Sequence, residues 1–401
     1  MADTQPNVGR LALVRAIPRQ VSWLDLAVLS FLGLCAFGIT KLAGEWRAPL
    51  HEAVVIDLRY RALPLYTFFS LCRGLVAFIF SFFFTLLYGY VAARVKLADR
   101  VLLPLLDILQ SIPVLGFMPG VVLAMAALFP HSNVGLELSA ILMIFTGQVW
   151  NMTFSFYHSL RAIPSELMEA GAIYRFGWWR RFVRIELPYS TVGLVWNGMM
   201  SMAGGWFFLT INEAFRLGDR DFRLPGVGAY MSVAIDADNR GAMFAAVVAM
   251  VIMIVVVDQL FWRPLVAWSE KFKFEDVGGS EPATSWVLEL LRHSQLVRGV
   301  GRWTKQKVKA MRKPAVLKPA VMASPEPKTS KVFIVLVTAL GALCVWGTIR
   351  LVELLSALDK QAWLDIAGAS GLTLVRTSVA VVLGSIWTIP AGIYIGTHPK
   401  A

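Results

Sequence analysis

The sequence predicts an all-α polytopic membrane protein with about eight transmembrane helices. Hydrophobic residues make up 57% of the 401-residue chain, charged residues make up only 16%, and the mean hydropathy is +0.62. A typical soluble domain is less than half apolar and about one quarter charged. In addition, eight apolar segments reach the roughly 20 residues that a helix needs to cross the hydrocarbon core of a bilayer. We therefore expect the bilayer to surround most of the chain.

The eight predicted spans are distributed along the whole chain. In chain order they cover residues 22–44, 66–93, 101–129, 136–160, 189–211, 241–262, 332–357 and 371–397. The polar segment 1–21 contains Arg10, Arg15 and Arg19 and is not followed by a convincing cleavage site for a signal peptide. We expect this segment to be a cytoplasmic N-terminus.

The distribution of positive charge predicts the orientation of the spans. The loop 161–188, called the basic loop below, contains five arginines, and the connector 263–331 has fourteen Lys and Arg against six Asp and Glu. The loop around 212–240 instead balances its arginines with acidic residues. Because Lys and Arg accumulate in cytoplasmic loops, the basic loop and the connector are expected inside and the 212–240 loop outside.

The basic loop has the pattern of two helices joined by a turn. Pro164 and Ser165 mark a helix start, and Gly177 interrupts the helix. Trp178 to Glu186 then resumes it. The first helix places small or apolar residues on one face, which predicts a flat surface open to a partner; these residues are Leu167, Ala170, Gly171 and Tyr174.

Residues of the basic loop carry a resemblance to a known family. Glu169-Ala170-Gly171 is followed by Ile185, Leu187 and Pro188, which stand sixteen, eighteen and nineteen residues after Glu169. This arrangement resembles the signature of membrane permeases of binding-protein-dependent ABC importers. The family's usual glycine position is occupied by Arg175, so the turn is expected to shift to Gly177. The alternative is a loop that is basic only because of membrane topology.

The resemblance implies that the basic loop docks on an ATP-hydrolysing subunit. The ATPase-coupling residues that it implies are Glu169, Ala170, Gly171, Gly177, Ile185, Leu187 and Pro188. The loop lies in water, so substitutions in it should leave membrane insertion intact.

The third predicted span contains helix-breaking residues and polar groups. Prolines at 104, 113 and 119 interrupt helical hydrogen bonding, which membranes tolerate where a cavity or neighbouring helices satisfy the freed carbonyls. This stretch, with residues 204–208 and 221–230, resembles the nitrate, sulfonate and taurine branch of the same permeases. The resemblance implies a translocation path lined by Asp107, Gln110, Ser111, Pro113 and Glu213. The alternative places Asp107 and Glu213 at opposite membrane surfaces as helix ends, and Arg73 is expected near the outer interface.

The ends of the chain resemble each other. Residues 34–42 match 343–351 at an offset of 309, and residues 71–89 match 374–392 at an offset of 303. We therefore expect a first six-helix permease unit at 22–262, with its core at 66–262, then a basic cytoplasmic connector at 263–331. The segment 332–401 is interpreted as the first two helices of a second, parallel permease unit that is incomplete.

Motifs for enzyme chemistry are missing from the sequence. There is no phosphate-binding G-x-x-x-x-G-K-[ST] loop, the five histidines lack metal-ligand spacing, and the three cysteines lie in apolar segments. We therefore expect no catalytic residue, no metal, no cofactor and no enzymatic activity. The net charge of +12 is explained by membrane orientation, so no nucleic acid is expected as a partner.

The expected function is the permease component of an ABC importer in a bacterial inner membrane. The implied partners are ATP-binding cassette subunits, an external or periplasmic solute-binding protein, a second permease half, fused or dimeric, and membrane lipid. Nitrate, sulfonates, taurine, bicarbonate and thiamine-precursor-like compounds remain open as substrates. One alternative is an ion-driven transporter, which needs paired intramembrane acids, whereas the sequence offers only Asp107, Asp25 and Asp258 as candidates. A membrane-anchored scaffold is another alternative, but it leaves the broken third span unexplained.

Overall fold

The fold is built from helices, as predicted. A computed structural model describes residues 23–47, 55–95, 97–217, 220–273, 285–293, 331–356 and 359–397. The chain divides into two compact units, Met1–Lys328 and Thr329–Ala401. In the described residues the sheet structure is limited to one antiparallel pair of short strands. The all-α class is therefore confirmed.

The first unit contains most of the helices. In chain order its elements are α1 (Trp23–Arg47), α2 (Leu63–Arg94), α3 (Asp99–Ser111), α4 (Val114–Leu128), α5 (Val134–Arg161), α6 (Ser165–Ile173), α7 (Trp178–Arg181), α8 (Leu187–Asn212), β1 (Ala214–Leu217), β2 (Arg220–Arg223), α9 (Val227–Asp236), α10 (Arg240–Val257), α11 (Arg263–Ser269) and α12 (Trp286–His293). The second unit contains α13 (Lys331–Ser356) and α14 (Lys360–Thr397).

Each predicted span coincides, within the described residues, with a helix or with the pair α3 and α4. By length and composition, the helices in this part of the chain that can cross a membrane are Leu63–Arg94, Val134–Arg161, Arg240–Phe272 and Lys360–Thr397. The pair α3 and α4 adds a fifth crossing if it is counted as one span. The number of eight crossings stays a prediction.

The break predicted in the third span is confirmed. Helices α3 and α4 meet at an angle of 90°. Ile112 between them is extended, with φ −73° and ψ 122°. A residue before proline avoids the helical region, and Pro113 lacks the N–H that would continue the ladder of α3. Local chemistry at Ile112–Pro113 therefore explains the bend.

Helices α2, α5 and α8 pack closely to form the core of the first unit, with α5 between the other two. Small residues mark the crossings. A Cβ atom added at Gly89 of α2 would meet the Phe156 ring of α5 at 2.9 Å, and Gly205 of α8 lies against Gln148 of α5. Thr85 and Thr153 also share a hydrogen bond of 3.0 Å. Such small residues and hydroxyl pairs let helix backbones approach closely where no water is available to drive packing.

The predicted connector begins as a continuation of α10. A π-helical turn at Asp258–Trp262, α11 and a 3-10 turn at Glu270–Phe272 follow α10 without a break. The boundary of the connector at residue 263 stays a prediction. Apart from 273, 285 and α12, the rest of the connector up to residue 330 lies outside the described residues.

Candidate functional site

The basic loop folds into the predicted helix, turn and helix. α6 covers Ser165–Ile173 and is followed by a turn, by α7, and by a π-helical segment at Phe182–Glu186 that continues directly into α8. Because this last connection is uninterrupted, the second half of the basic loop is the start of a core helix.

The turn lies at Arg175, at the family's usual glycine position. Arg175 has φ +49°, whereas Gly177 has φ −65° and ψ 165°, which any residue adopts. The amide of Phe176 donates to the carbonyl of Gly171 at 2.9 Å, and the amide of Arg175 donates to that of Ala172 at 2.9 Å. These bonds form a Schellman motif, whose left-handed position normally carries glycine. The expectation that the turn shifts to Gly177 is therefore wrong.

Gly171 lies on the inner side of the basic loop. It is buried, and a Cβ atom added there would meet the Cδ1 atom of Ile185 at 2.8 Å. The predicted open face is therefore wrong at this position, because the hairpin brings α6 back onto the π-helical segment. The two ends of the signature, Gly171 and Ile185, are packed against each other.

The outer side of the basic loop presents a large apolar surface. Ile173 and Tyr174 are 75% and 72% exposed, and Trp178 and Trp179 are also exposed. We call these four residues the exposed loop surface. Glu169 of α6 is exposed as well. A cluster of exposed large apolar side chains beside charged ones is typical of a surface that binds another molecule.

Glu186 ties the basic loop to the core. Its side chain is fully buried, and its Oε1 atom lies 3.1 Å from Nε of Arg94 and 3.2 Å from Nε of Arg181. Arg94 ends α2, and its Nη2 atom also donates to the carbonyl of Leu160 near the end of α5 at 3.2 Å. Neither Glu186 nor Arg94 was predicted from the sequence to have a role.

Four of the residues expected to line the path lie together at the bend between α3 and α4. Asp107, Gln110, Ser111 and Pro113 are all exposed on the first unit. The Gln110 side-chain amide donates to Oδ1 of Asp107 at 3.0 Å, and the Ser111 hydroxyl donates to the carbonyl of Asp107 at 2.7 Å. The bend thus presents a small polar surface between the apolar stretches of α3 and α4.

Glu213, the fifth expected path residue, lies elsewhere in a buried ion cluster with Arg73 and Glu137. All three side chains are at most 1% exposed. Arg73 donates to both carboxylate oxygens of Glu137 at 2.6 and 2.7 Å, and to Glu213 at 2.8 Å. Its Nη1 atom also donates to the carbonyl of Pro225 at 2.8 Å. Because Glu213 faces this cation and not open space, it is separated from the other expected path residues.

The backbone around Glu213 is shaped to hold its carboxylate. The amide of Gly228 donates to its Oε2 atom at 2.7 Å, and the hydroxyl of Ser70 donates to its Oε1 atom. A Cβ atom at Gly226 would overlap the carboxylate, so only glycine fits there. The ion cluster therefore joins α2, α5 and the end of α8 to the segment that begins α9.

Glu137 was not among the residues predicted from the sequence. Glu137 and Glu213 are two buried acids that share the cation of Arg73. Arg73 is fully buried in the protein, and its expected place near the outer interface stays a prediction. The available signal was a lone acid near the start of an apolar span, since buried charges are almost always paired. Arg73 pairs with Glu137 across 64 residues and with Glu213 across 140 residues, so these contacts depend on tertiary structure.

Comparisons with known proteins found similarity to one described family over part of the first unit. The family "Binding-protein-dependent transport system inner membrane component" matches residues 86–261. The chain is 22% identical over 207 residues to the "Putative aliphatic sulfonates transport permease protein SsuC" of Bacillus subtilis, covering 51% of this chain and 70% of that protein.

A second relative matches over a shorter stretch of the chain, and one solved structure is similar at lower sequence identity. The chain is 29% identical over 111 residues to the "Diacetylchitobiose uptake system permease protein NgcG" of Streptomyces coelicolor, covering 27% of this chain and 37% of that protein. A chain of the inward-facing MetNI methionine ABC transporter has 16% identity and a TM-score of 0.39, covering 51% of this chain and 93% of that chain. The match thus spans little more than a third of the length of the Streptomyces relative.

Proposed function

We propose that this chain, whose residues 86–261 match the family "Binding-protein-dependent transport system inner membrane component", is the permease component of an ABC importer in a bacterial inner membrane. In this proposal the first unit forms part of the solute path, and partner subunits bind and hydrolyse ATP. The N-terminus and the basic loop lie in the cytoplasm, as the distribution of positive charge indicates.

The basic loop is the proposed contact with the ATPase subunits. The observation that carries the proposal is that the signature residues from Glu169 to Pro188 fold as one hairpin, whose outer side is the exposed loop surface. Gly171, Ile185 and Leu187 have an internal role in this proposal, because they hold the hairpin against the core. Ile173, Tyr174 and the two tryptophans supply the docking contact, with Glu169 beside them.

The bend between α3 and α4 is the proposed lining of the path. Asp107, Gln110 and Ser111 are exposed there on the first unit, as path-lining groups require. A polar, irregular backbone at membrane depth is tolerated where it is buried in protein or faces a water-filled cavity. A second permease half, fused or dimeric, would close the path from the other side.

For the substrate we propose a small anion of the sulfonate type, delivered by an external solute-binding protein. The sulfonate permease relative supports this class, since its match covers more of both chains than that of the diacetylchitobiose permease. The test is ATP-dependent uptake of taurine against diacetylchitobiose in vesicles that contain the assembled transporter.

An ion-driven transporter is disfavoured by the arrangement of the buried acids. Such a transporter needs carboxylates that exchange an ion with the path, whereas Glu137 and Glu213 are enclosed and share the cation of Arg73. A membrane-anchored scaffold has no use for the polar bend in the third span. Both alternatives also lack a reason for the signature spacing in the basic loop.

The coupling role is tested by placing charge on the exposed loop surface. Ile173→Lys and Glu169→Lys should leave membrane insertion intact, because both side chains are exposed. Each should weaken ATPase binding at least thirtyfold, which corresponds to about 2 kcal/mol at a binding hot spot, and should abolish ATP-driven uptake. Val55→Lys, at a side chain that is 91% exposed outside the basic loop, is the control. Normal ATPase co-purification and normal uptake in both loop variants would refute the proposal.

A further inference from the structure

We propose that Glu186 is a positioning residue that passes movement of the basic loop into the core formed by α2, α5 and α8. The inference rests on the proposed function, because it assumes that ATPase subunits pull on the basic loop. It adds a specific ionic contact as the route by which the pull reaches the path.

Glu186 lies where the basic loop joins three core helices. It precedes the first residue of α8, it contacts Arg94 at the end of α2, and Arg94 in turn binds the carbonyl of Leu160 near the end of α5. Its other contact, Arg181, belongs to α7 of the basic loop itself. One buried carboxylate therefore connects the loop to all three helices.

The contact is held by charge more than by aligned hydrogen bonds. Both arginine Nε atoms lie within ion-pair distance of Glu186, yet in the described residues neither they nor the carboxylate oxygens have a hydrogen-bond partner of good geometry. A Coulomb attraction depends on distance and changes little with angle. The contact can therefore persist while α7 and α8 rotate by small amounts. Without the carboxylate, two guanidinium groups would face each other.

The position of Glu186 follows from the proline that comes after it. Pro188 has no N–H for the carbonyl of Arg184, and its ring crowds that carbonyl. The backbone widens at this point into the π-helical segment Phe182–Glu186. Such wide turns are frequent at functional sites. The widened turn directs the carboxylate inward, where it is fully buried.

The same three helices are joined again towards their opposite ends by the ion cluster of Arg73, which lies ten residues inside α2, with Glu137 and Glu213. Helix α8 has 26 residues, so its two ends lie about 39 Å apart at 1.5 Å per residue. Ionic contacts at both ends, with close packing at the glycines between them, favour movement of the three helices as one body. A displacement at Glu186 would then be carried along the full length of the core.

The experiment measures whether ATP changes the path when the contact is broken. In a background without Cys35, Cys72 and Cys344, Gln110→Cys places one thiol at the bend. The full chain is assembled with its ATPase subunits, and the labelling rate of this thiol is compared with and without MgATP and vanadate. Glu186→Gln keeps the size of the side chain and removes its charge. Asp258→Asn, which breaks the partly exposed pair with Arg263, is the matched control.

We expect Glu186→Gln to bind the ATPase subunits normally and to reduce the MgATP-dependent change in labelling at least tenfold, with no such loss in the control. Arg94→Gln should act similarly, and the double variant should lose little more than either single variant. If Glu186→Gln does not purify as folded protein, Arg94→Gln and Arg181→Gln test the same claim, because each leaves one ion pair in place.

An unchanged response in Glu186→Gln would overturn the inference and leave the proposed function standing. Loss of ATPase binding in that variant would also overturn it, by assigning Glu186 to docking. If the chain with native Glu186 shows no MgATP-dependent change at all, the proposed function fails and this inference fails with it.

Discussion

Removing Arg73 should destabilise the first unit strongly, because it leaves two buried carboxylates without their cation. Arg73 donates to both oxygens of Glu137, to Glu213 and to a backbone carbonyl, and it is fully buried. Removing one partner of a buried ion pair costs about 3–5 kcal/mol. In a domain of 150–250 residues each kcal/mol lowers Tm by about 2–4 °C, so Arg73→Met should lower Tm by about 6–20 °C.

Substituting an acidic partner should cost less stability than substituting Arg73. Glu137→Gln leaves Arg73 and Glu213 as a neutral pair, and the lost charge-assisted hydrogen bonds cost about 1–3 kcal/mol, or about 2–12 °C. Combining Arg73→Met with Glu137→Gln and Glu213→Gln removes all the charge, so this triple variant should recover part of the loss seen in Arg73→Met.

Thermal unfolding followed by tryptophan fluorescence in detergent measures these changes. Arg59→Met is the matched control, because Arg59 is 84% exposed and its pair with Asp57 lies at the surface. Surface pairs contribute little, so no measurable shift is expected there. A Tm for Arg73→Met within about 2 °C of the native value, or a triple variant no more stable than Arg73→Met, would refute the account of the cluster.

Three further predictions concern the basic loop and the membrane orientation. Gly171→Ala should destabilise the loop by about 1–3 kcal/mol through overpacking, and adding Ile185→Val should relieve most of this; a thermal-unfolding cycle in which the two changes are additive would contradict the packing. Arg175→Gly should stabilise the loop by about 1 kcal/mol by relieving the left-handed conformation, which slower proteolysis in the loop would show; faster cleavage would contradict it. In a cysteine-free background, a cysteine at Ala237 should react with an impermeant thiol reagent added outside intact cells and one at Arg180 should not, whereas the reverse labelling would contradict the orientation.

Local chemistry made much of the fold predictable from the sequence. Span positions follow from runs of apolar residues, and the bend at Pro113 follows from the backbone restrictions of proline. The helix, turn and helix of the basic loop follow from a helix start at Ser165 and an apolar period that ends before residue 175. These features depend on residues that are close together in the sequence, so the sequence alone predicts them.

The features that could not be predicted depend on contacts between distant residues. The partners of Arg73 lie 64 and 140 residues away, and Gly171 meets Ile185 only after the loop has folded back. The turn at Arg175 was missed because glycine is the residue that tolerates a positive φ, and Gly177 stood close by. In this loop the hydrogen bonds of the Schellman motif fix the turn, and Arg175 adopts the strained positive φ that the motif requires.

Contact between the exposed loop surface and an ATPase subunit is the central claim, and site-specific crosslinking tests it most directly. A photo-crosslinking amino acid is placed at Tyr174 in the basic loop or at Ala237 in the turn after α9, and the transporter is assembled with its ATPase subunits and irradiated. The account predicts a crosslink to the ATPase subunit from position 174 and none from position 237. A transporter with ATP-driven uptake that shows no crosslink from position 174, or equal crosslinks from both positions, would contradict it.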